Sequence, residues 1–172
     1  MTDWSEVVRE YGPIVWKTAF RLLNNEADAA DCFQDTFVSA LKLSRVETIH
    51  NWLGLLKRLA TARGLDRLRQ RRRESSRCLG MPEKFDPSEK APGPSRVAES
   101  IEVTEHLRSA LAELDAKQAE VFCLACLEDL DYRHIAEQLG LTVGHVAVLL
   151  NRAKSNLRDR LRAHAPPSQE SL

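Results

Sequence analysis

Residues 130–153 read LDYRHIAEQLGLTVGHVAVLLNRA and carry the strongest fold signal in the chain. Two short apolar patterns with the three-to-four-residue period of a helix meet at Gly140. Gly140 stands where the first helix must end, a position that often needs a positive φ. Thr142 stands where the second helix needs a hydroxyl N-cap. The stretch therefore predicts two short helices joined by a tight turn.

This spacing is typical of a helix-turn-helix. Ala136 is small enough to let the two helices approach, and Val146 and Leu149 are placed to pack the second helix on the first. A helix-turn-helix puts its second helix into the major groove of DNA. An ordinary αα-hairpin within a helical bundle is the alternative that this stretch alone leaves open.

The composition of the 172-residue chain predicts an all-α protein with one or two small cores. Helical periodicity recurs along the chain, and sustained apolar–polar alternation is hard to find. No apolar run approaches the roughly 20 residues that cross a bilayer. The first residues, MTDWSEVVRE, lack the basic-then-apolar pattern of a signal peptide. We therefore expect a cytoplasmic protein without membrane insertion.

The formal net charge is zero, but the charges are segregated along the chain. Residues 45–77 contain ten Lys or Arg and three acidic residues, whereas residues 78–131 contain five basic and twelve acidic residues. Segregation of this kind predicts local anion-binding surfaces rather than a protein that coats nucleic acid everywhere.

A proline-containing stretch of low apolar content divides the chain into two parts. We predict a first domain over residues 1–74, a flexible linker over residues 75–96, a second domain over residues 97–164 and a disordered tail over residues 165–172. The expected fold class is therefore all-α, with two small helical domains joined by a flexible linker.

The second predicted helix, about residues 27–43, has an acidic and polar outer face formed by Asp28, Asp31, Gln34 and Asp35. Such a face suits plain solvation, with acids favoured near a helix N-terminus. It also suits docking of a basic partner. These residues alone favour solvation and leave docking open.

The third predicted helix begins at Asn51 and Trp52 and is crowded with arginine. Its density of cationic side chains favours contact with a nucleic-acid backbone over plain solubility. Trp52 has the spacing of a core residue, which we prefer to stacking on an unpaired base.

The four cysteines include a CxxC at Cys123 and Cys126 that falls inside a helical pattern. Without a second ligand pair nearby, this motif is weak evidence for zinc. Buried apolar thiols are the better interpretation, and a metal or redox sensor is the alternative. No nucleophile–base pair or phosphate-binding loop argues for catalysis, so we predict no enzymatic activity and no cofactor.

Together these motifs resemble the extracytoplasmic-function (ECF) group of the bacterial sigma-70 family of RNA polymerase sigma factors. Residues 28–42, DAADCFQDTFVSALK, resemble the polymerase-binding helix of that family with its D-x-x-Q-[ED]-x-F core. Residues 51–73 resemble its promoter −10 segment, and residues 114–161 resemble its −35-binding domain. The resemblance covers most of the chain outside the linker and the tail, with both blocks in the family's order.

The resemblance implies that the protein binds core RNA polymerase and directs it to a −35/−10 promoter. The implied polymerase-binding residues are Asp28, Asp31, Gln34, Asp35 and Phe37. The implied −10 DNA-binding residues are Asn51, Trp52, Lys57, Arg58, Arg63, Arg67, Arg71, Arg72 and Arg73. The implied −35 DNA-binding residues are Thr142, Val143, His145, Val148, Asn151, Arg152, Lys154 and Arg158. Core polymerase and promoter DNA are the implied partners, an anti-sigma factor is a common further one, and the free protein is expected to be a monomer.

Four positions depart from the family pattern. Ala62 stands where members often carry Asn, and Ala147, Val148 and Leu149 stand where they often carry a basic residue, Ser and Arg. With fewer donors for base edges, −35 recognition should depend on backbone contacts and DNA shape, with Val148 able to contact a thymine methyl. Two alternatives stay open: a stand-alone helix-turn-helix regulator, usually dimeric, and a sigma-like protein that only binds partners.

Overall fold

A computed structural model describes residues 2–78, here called the first half, and residues 95–164, the second half; only the backbone is described for residues 95–99. The first half consists of α1 Trp4–Leu23, α2 Glu26–Ser44 and α3 Trp52–Cys78. The second half consists of α4 Ser95–Glu113, α5 Ala116–Phe122, a π-helical turn Cys123–Leu127, α6 Tyr132–Leu139 and α7 Val143–Ala163. The predicted all-α class is confirmed.

Side-chain caps mark the start of six of the described helices. In each case the cap accepts a hydrogen bond from a backbone N–H two or three residues further on, and the caps are Asp3, Asn25, Asn51, Asp115, Asp131 and Thr142. Such a cap typically contributes about 1 kcal/mol relative to Ala. The cap predicted at Thr142 is confirmed.

Two helix boundaries add to what the sequence predicted. α1 continues through Pro13, a residue that often kinks or ends a helix. α3 continues to Cys78 and α4 begins at Ser95, so both ends of the predicted linker are helical. The rest of that linker and the predicted tail, residues 165–172, lie outside the described residues.

Each half has its own apolar core. In the first half the core lies between α1, α2 and α3, and its most buried members include Val15, Ala40, Leu56 and Ala60. In the second half it lies between α5, α6 and α7, and its most buried members include Val121, Leu124, Ile135, Val146 and Leu150. Each fully buried aliphatic side chain contributes about 1.5–3 kcal/mol.

A third apolar cluster contains buried side chains from both halves. Leu22, Leu65 and Leu68 of the first half share it with Leu111 and Cys123 of the second. Helix α3 contacts α4, α5, α6 and the π-helical turn. The two halves therefore pack directly on each other in the described structure.

The turn of the predicted helix-turn-helix has the expected geometry. Gly140 ends α6 with φ of 64°, and the backbone N–H of Leu141 donates to the carbonyl of Ala136 at 2.9 Å. Ala136 is buried in the core that joins the two helices, as predicted. Tyr132, which shares the apolar spacing of α6, is instead 39% exposed.

Candidate polymerase and nucleic-acid interfaces

Helix α7 presents one exposed face along its first four turns. The side chains assigned to the −35 element are all exposed, and they are Thr142, Val143, His145, Val148, Asn151, Arg152, Lys154 and Arg158. The opposite side of the helix is apolar and packs into the core. Leu149 is 7% exposed, so this departure from the family pattern is a packing residue. Val148 is 45% exposed on the outer face.

The acidic face of α2 is narrower than the sequence indicated. Asp31, Gln34 and Asp35 are exposed. Phe37 is 9% exposed and packs against the ring of Phe33, with centroids 4.9 Å apart. The aromatic ring of Phe37 therefore belongs to the packing of α2 in the bundle, and its assignment to the polymerase contact stays a prediction.

Asp28 differs from the exposed residues of this face, because its carboxylate is bound within the chain. One oxygen accepts bonds from Arg67 Nε at 2.9 Å and Nη2 at 2.7 Å, and the other accepts from Arg71 Nε at 2.6 Å and from Arg71 Nη2. The Asp28 side chain is only 13% exposed. Burial alone would raise the pKa of Asp28, but the bonds and charges of Arg67 and Arg71 outweigh it and hold that pKa below its usual value. Asp28 therefore joins α2 to α3.

The first residues of α3 have structural partners. The side-chain oxygen of Asn51 accepts a bond from the backbone N–H of Gly54 at 2.9 Å, as a helix cap does. Trp52 is half-buried and packs edge-to-face on Trp4, with ring centroids 5.4 Å apart. This agrees with the preference for a core role of Trp52 over base stacking.

The basic residues of α3 differ in how far they are available to an outside anion. Arg63 donates to the Ser39 hydroxyl at 2.9 Å, and Arg72 pairs with Glu113 of α4. Arg73 is exposed and, among the described residues, makes no side-chain hydrogen bond or ion pair. Paired and unpaired arginines could not be distinguished from the sequence alone, because a partner that lies far along the chain leaves no local signal.

Two basic residues nearer the start of α3 are partly buried. The Lys57 side chain is 17% exposed, and its ammonium donates to the carbonyl of Glu128 at 2.7 Å. Arg58 is half-buried, and its Nε has no hydrogen-bond partner within the described ranges. Both side chains therefore differ from the fully solvated cations that the sequence suggests.

A groove of about 880 Å³ opens beside the loop between α2 and α3. It is lined by Thr2, Trp4, Leu41 and residues 44–49. Val46, at 81%, is the most exposed large apolar side chain of the described part of the chain. These loop residues directly precede the basic helix, and that position is the only local signal that the sequence offers for them.

The two members of the CxxC have different environments. Cys123 is buried, and burial raises the pKa of its thiol, whereas Cys126 is exposed. The prediction of two inward thiols is therefore correct for Cys123 and wrong for Cys126. The residues that the structure describes hold no cluster of three or more His, Cys, Asp or Glu side chains suited to a metal ion. None of the described helices is long and apolar enough to cross a membrane.

Comparison with known families matches both halves. Residues 7–74 match the model of sigma-70 region 2, and residues 104–157 match the model of sigma-70 region 4. The chain belongs to the sigma-70 family of RNA polymerase sigma factors. The acidic helix and most of the arginine-rich helix lie within the first matched range, and α6 and most of α7 lie within the second.

Three sigma factors are similar to this one, and two of them are named as members of the ECF group. It is 31% identical to the ECF RNA polymerase sigma factor SigE of Mycolicibacterium smegmatis, over 99% of this chain and 66% of that protein. It is 29% identical to the ferric citrate uptake sigma factor FecI of Escherichia coli, over 80% of this chain and 78% of that protein. It is 23% identical to the ECF RNA polymerase sigma factor SigW of Bacillus subtilis, over 92% and 89%.

A solved structure shares the fold of this sigma factor. It is the sigma factor RpoE in complex with the anti-sigma factor NepR from Bartonella quintana, with a TM-score of 0.55 and 20% identity. The match covers 96% of this chain and 100% of that chain. The similarity therefore extends over both halves.

Proposed function

We propose that this ECF sigma factor binds core RNA polymerase through α2, opens and reads the promoter −10 element with α3 and the loop before it, and reads the −35 element with α7. The observation that carries the proposal is the exposed face of α7, which combines His145, Val148 and Asn151 with cationic residues. Such a face matches the base edges and phosphates of a major groove. Sigma factors are initiation factors rather than enzymes, and we propose no catalytic activity for this one.

The polymerase contact is proposed for Asp31, Gln34 and Asp35, because they are exposed and α2 bears few cations there. Replacing all three by Ala should weaken binding to sigma-free core polymerase by about tenfold or more, as loss of interface hot spots does. The melting temperature should not change, because exposed side chains contribute little to folding. Glu10→Ala, an exposed acid on α1, is the matched control. Normal polymerase binding by the triple variant would remove this surface from the proposal.

The −10 contact is proposed for the groove beside residues 44–49 and for the outer side of α3. Unstacking a base costs a few kcal/mol, and an apolar side chain that stands free of the protein can stabilise the unstacked step. Val46 has that exposure. We expect Val46→Ser to slow the fluorescence rise of 2-aminopurine at −10 in the presence of polymerase, without changing polymerase binding. An unchanged rate would exclude a role for Val46 in opening.

The −35 contact is proposed to combine few base contacts with many backbone contacts. Asn151→Ala should relax selection at one base position by about 1–3 kcal/mol if its amide reads an adenine. Lys154→Ala should instead weaken binding to all sequences alike. It should also reduce the slope of the logarithm of the binding constant against the logarithm of the salt concentration by about one. Selection from randomised −35 sequences by the polymerase holoenzyme distinguishes these two outcomes.

The decisive test is reconstituted transcription. Purified protein is added to sigma-free bacterial core polymerase on fragmented genomic DNA, and the 5′ ends of the transcripts are mapped. New starts that share a −35/−10 pattern are expected. Polymerase binding without new starts would favour a sigma-like regulator. Failure to bind polymerase, with tight DNA binding by a free dimer, would favour a stand-alone helix-turn-helix regulator.

We also propose an anti-sigma partner and a cytoplasmic site of action for this chain. The similarity to a sigma factor solved in complex with an anti-sigma factor supports the first. Assembly with polymerase on chromosomal DNA implies the second. Copurification of a tagged chain at native expression level tests both, since an anti-sigma factor and polymerase subunits should appear in alternative complexes.

A further inference from the structure

Two histidines from different helices of the second half lie close together. His106 belongs to α4, and His164 caps the C-terminus of α7. Their ring centroids are 5.5 Å apart, and the ring planes are tilted by 41°. Both helices belong to one half, so this pair does not depend on how the two halves pack. The structure thus brings together two metal-binding side chains that lie far apart in the sequence.

The separation of the rings matches that of two imidazoles bound to one metal ion. A histidine nitrogen lies about 2.0–2.1 Å from a bound zinc ion, and the centre of the ring lies roughly 1.2 Å behind the nitrogen. At a near-tetrahedral angle two such rings have centroids about 5 Å apart, close to the 5.5 Å observed here. Ring packing alone also gives separations of about 4.5–7 Å. The ring nitrogens and the space beside them therefore decide between the two interpretations.

The hydrogen bond of His164 leaves one ring nitrogen free. Its Nδ1 lies 2.9 Å from the carbonyl oxygen of Arg160. Because a carbonyl only accepts, Nδ1 carries the hydrogen, and Nε2 of the neutral ring keeps its lone pair. Histidines that bind metals usually donate their other N–H to a carbonyl or carboxylate in this way, which fixes the ring. Within the described ranges His106 makes no side-chain hydrogen bond, so either of its nitrogens is available.

A cavity of about 70 Å³ lies beside both rings. Its lining includes His106, Ser109, Glu113, Arg160 and His164. Because about 10–15 Å³ of such space is enough for one water, the cavity can hold an ion together with its waters. The two imidazoles therefore border a space that an ion can enter, rather than a filled core.

The acid in this cavity is already paired. The carboxylate of Glu113 receives Arg160 and also Arg72, so it is not available as a metal ligand. This agrees with the absence of three-residue metal clusters from the described parts of the chain, and it leaves the remaining coordination positions to water. Two neutral imidazoles suit late transition metals such as Zn²⁺, Ni²⁺ and Cu²⁺. Mg²⁺ and Ca²⁺ prefer oxygen ligands and do not fit this pair.

We propose that His106 and His164 bind one late transition-metal ion, with Nε2 of His164 as one ligand, and that this ion joins α4 to the end of α7. Helix α7 also carries the face proposed for the −35 element, but the metal site lies at its other end and does not depend on that function. An ion that binds only the folded chain stabilises it by mass action. The occupied site should therefore hold α4 and α7 together against unfolding of the second half.

The test titrates full-length wild type with zinc chloride in a buffer free of chelators. Calorimetry should give one ion per chain with a micromolar Kd. The melting temperature should rise by about 5 °C once free zinc exceeds the Kd roughly a hundredfold. His106→Ala and His164→Ala should each weaken zinc binding about tenfold or more, because each removes one of two protein ligands. His50→Ala, an exposed histidine of the first half, is the matched control and should bind like wild type.

A second readout is the nitrogen NMR signals of the histidine rings during the zinc titration. Nε2 of His164 and one nitrogen of His106 should shift with the same Kd as the calorimetric signal. These wild-type signals decide the question even if a variant fails to fold. Zinc binding that survives both substitutions would place the ion elsewhere, such as on the exposed thiols of Cys78 and Cys126, and would overturn the proposal. Ring shifts seen only at millimolar zinc, or no zinc binding at all, would show an adventitious ion only and would reject the site.

Discussion

Replacing Asp28 with Asn tests whether this carboxylate joins two helices or contacts polymerase. Asn keeps the size of the side chain but cannot accept from both guanidinium groups, and its amide nitrogen would face donors of Arg67 or Arg71. The substitution therefore removes two charge-assisted bonds, each worth about 1.5–3 kcal/mol. The two arginine side chains are 34% and 30% exposed, so water compensates part of the loss. We expect a loss of about 2–3 kcal/mol of unfolding free energy.

Urea unfolding followed by tryptophan fluorescence measures this loss, because all three tryptophans lie in the first half. For a chain of this length, 2–3 kcal/mol corresponds to about 5–10 °C in melting temperature. Asp66→Asn is the matched control on α3, since Asp66 is 63% exposed and pairs only with Arg69. Its effect should stay within about 0.5 kcal/mol.

The effect of Asp28→Asn should also depend on pH with a definite sign. The pKa of Asp28 is held below its usual value in the folded state, so its contribution is present above the unfolded pKa of about 3.9 and is lost as pH falls through the folded pKa. The difference from wild type should be constant between pH 7 and 5 and shrink below about pH 4. If Asp28→Asn left the free energy of unfolding unchanged but weakened polymerase binding, the reasoning would be refuted. Asp28 would then be assigned to the polymerase interface.

Three further predictions concern other parts of the chain. Arg73→Ala should weaken DNA binding with little effect on stability, whereas Arg71→Ala should lower the melting temperature because it removes a partner of Asp28; salt-dependent binding and thermal unfolding separate the two. Gly140→Ala should lower the free energy of unfolding, measured in urea, by about 1–2 kcal/mol, because φ is positive there and strains a residue with a Cβ. No further loss is expected, because no atom within 4 Å would clash with the added Cβ. Burial raises the pKa of Glu128, although the Thr18 hydroxyl and nearby cations oppose the rise. Its contribution to the free energy of unfolding should therefore be largest below its unfolded pKa and fall as pH rises through the folded pKa; thermal unfolding should show this pH dependence in wild type and not in Glu128→Gln.

Local features of the structure were predictable from the sequence. The turn at Gly140 and the cap at Thr142 depend on residues within four positions, so both can be predicted without knowledge of the fold. The outer face of α7 follows from helical periodicity in the same way. Family resemblance then extended these local signals to a function.

The availability of individual charged residues was not predictable. Asp28 and Arg67 are 39 positions apart in sequence, and Arg72 and Glu113 are 41 positions apart. The residues next to each of them in sequence therefore do not predict its ion-pair partner. Phe37 and the exposed residues of α2 share one motif, and helical periodicity separates them by face. The burial of Asp28 depends instead on the arginines of α3. Site residues on a helix are therefore assigned reliably by face only after the neighbours of that helix are known.

The sequence by itself determined the helices, their caps, the helix-turn-helix and the family, because each follows from short-range periodicity and motif spacing. The tertiary structure alone decided that the two halves pack together, that Glu128 is buried between them, and that Lys57 and Arg72 are paired rather than free. The physical reason is that burial and ion pairing depend on which surfaces from distant parts of the chain lose water against each other. Local sequence does not predict those contacts.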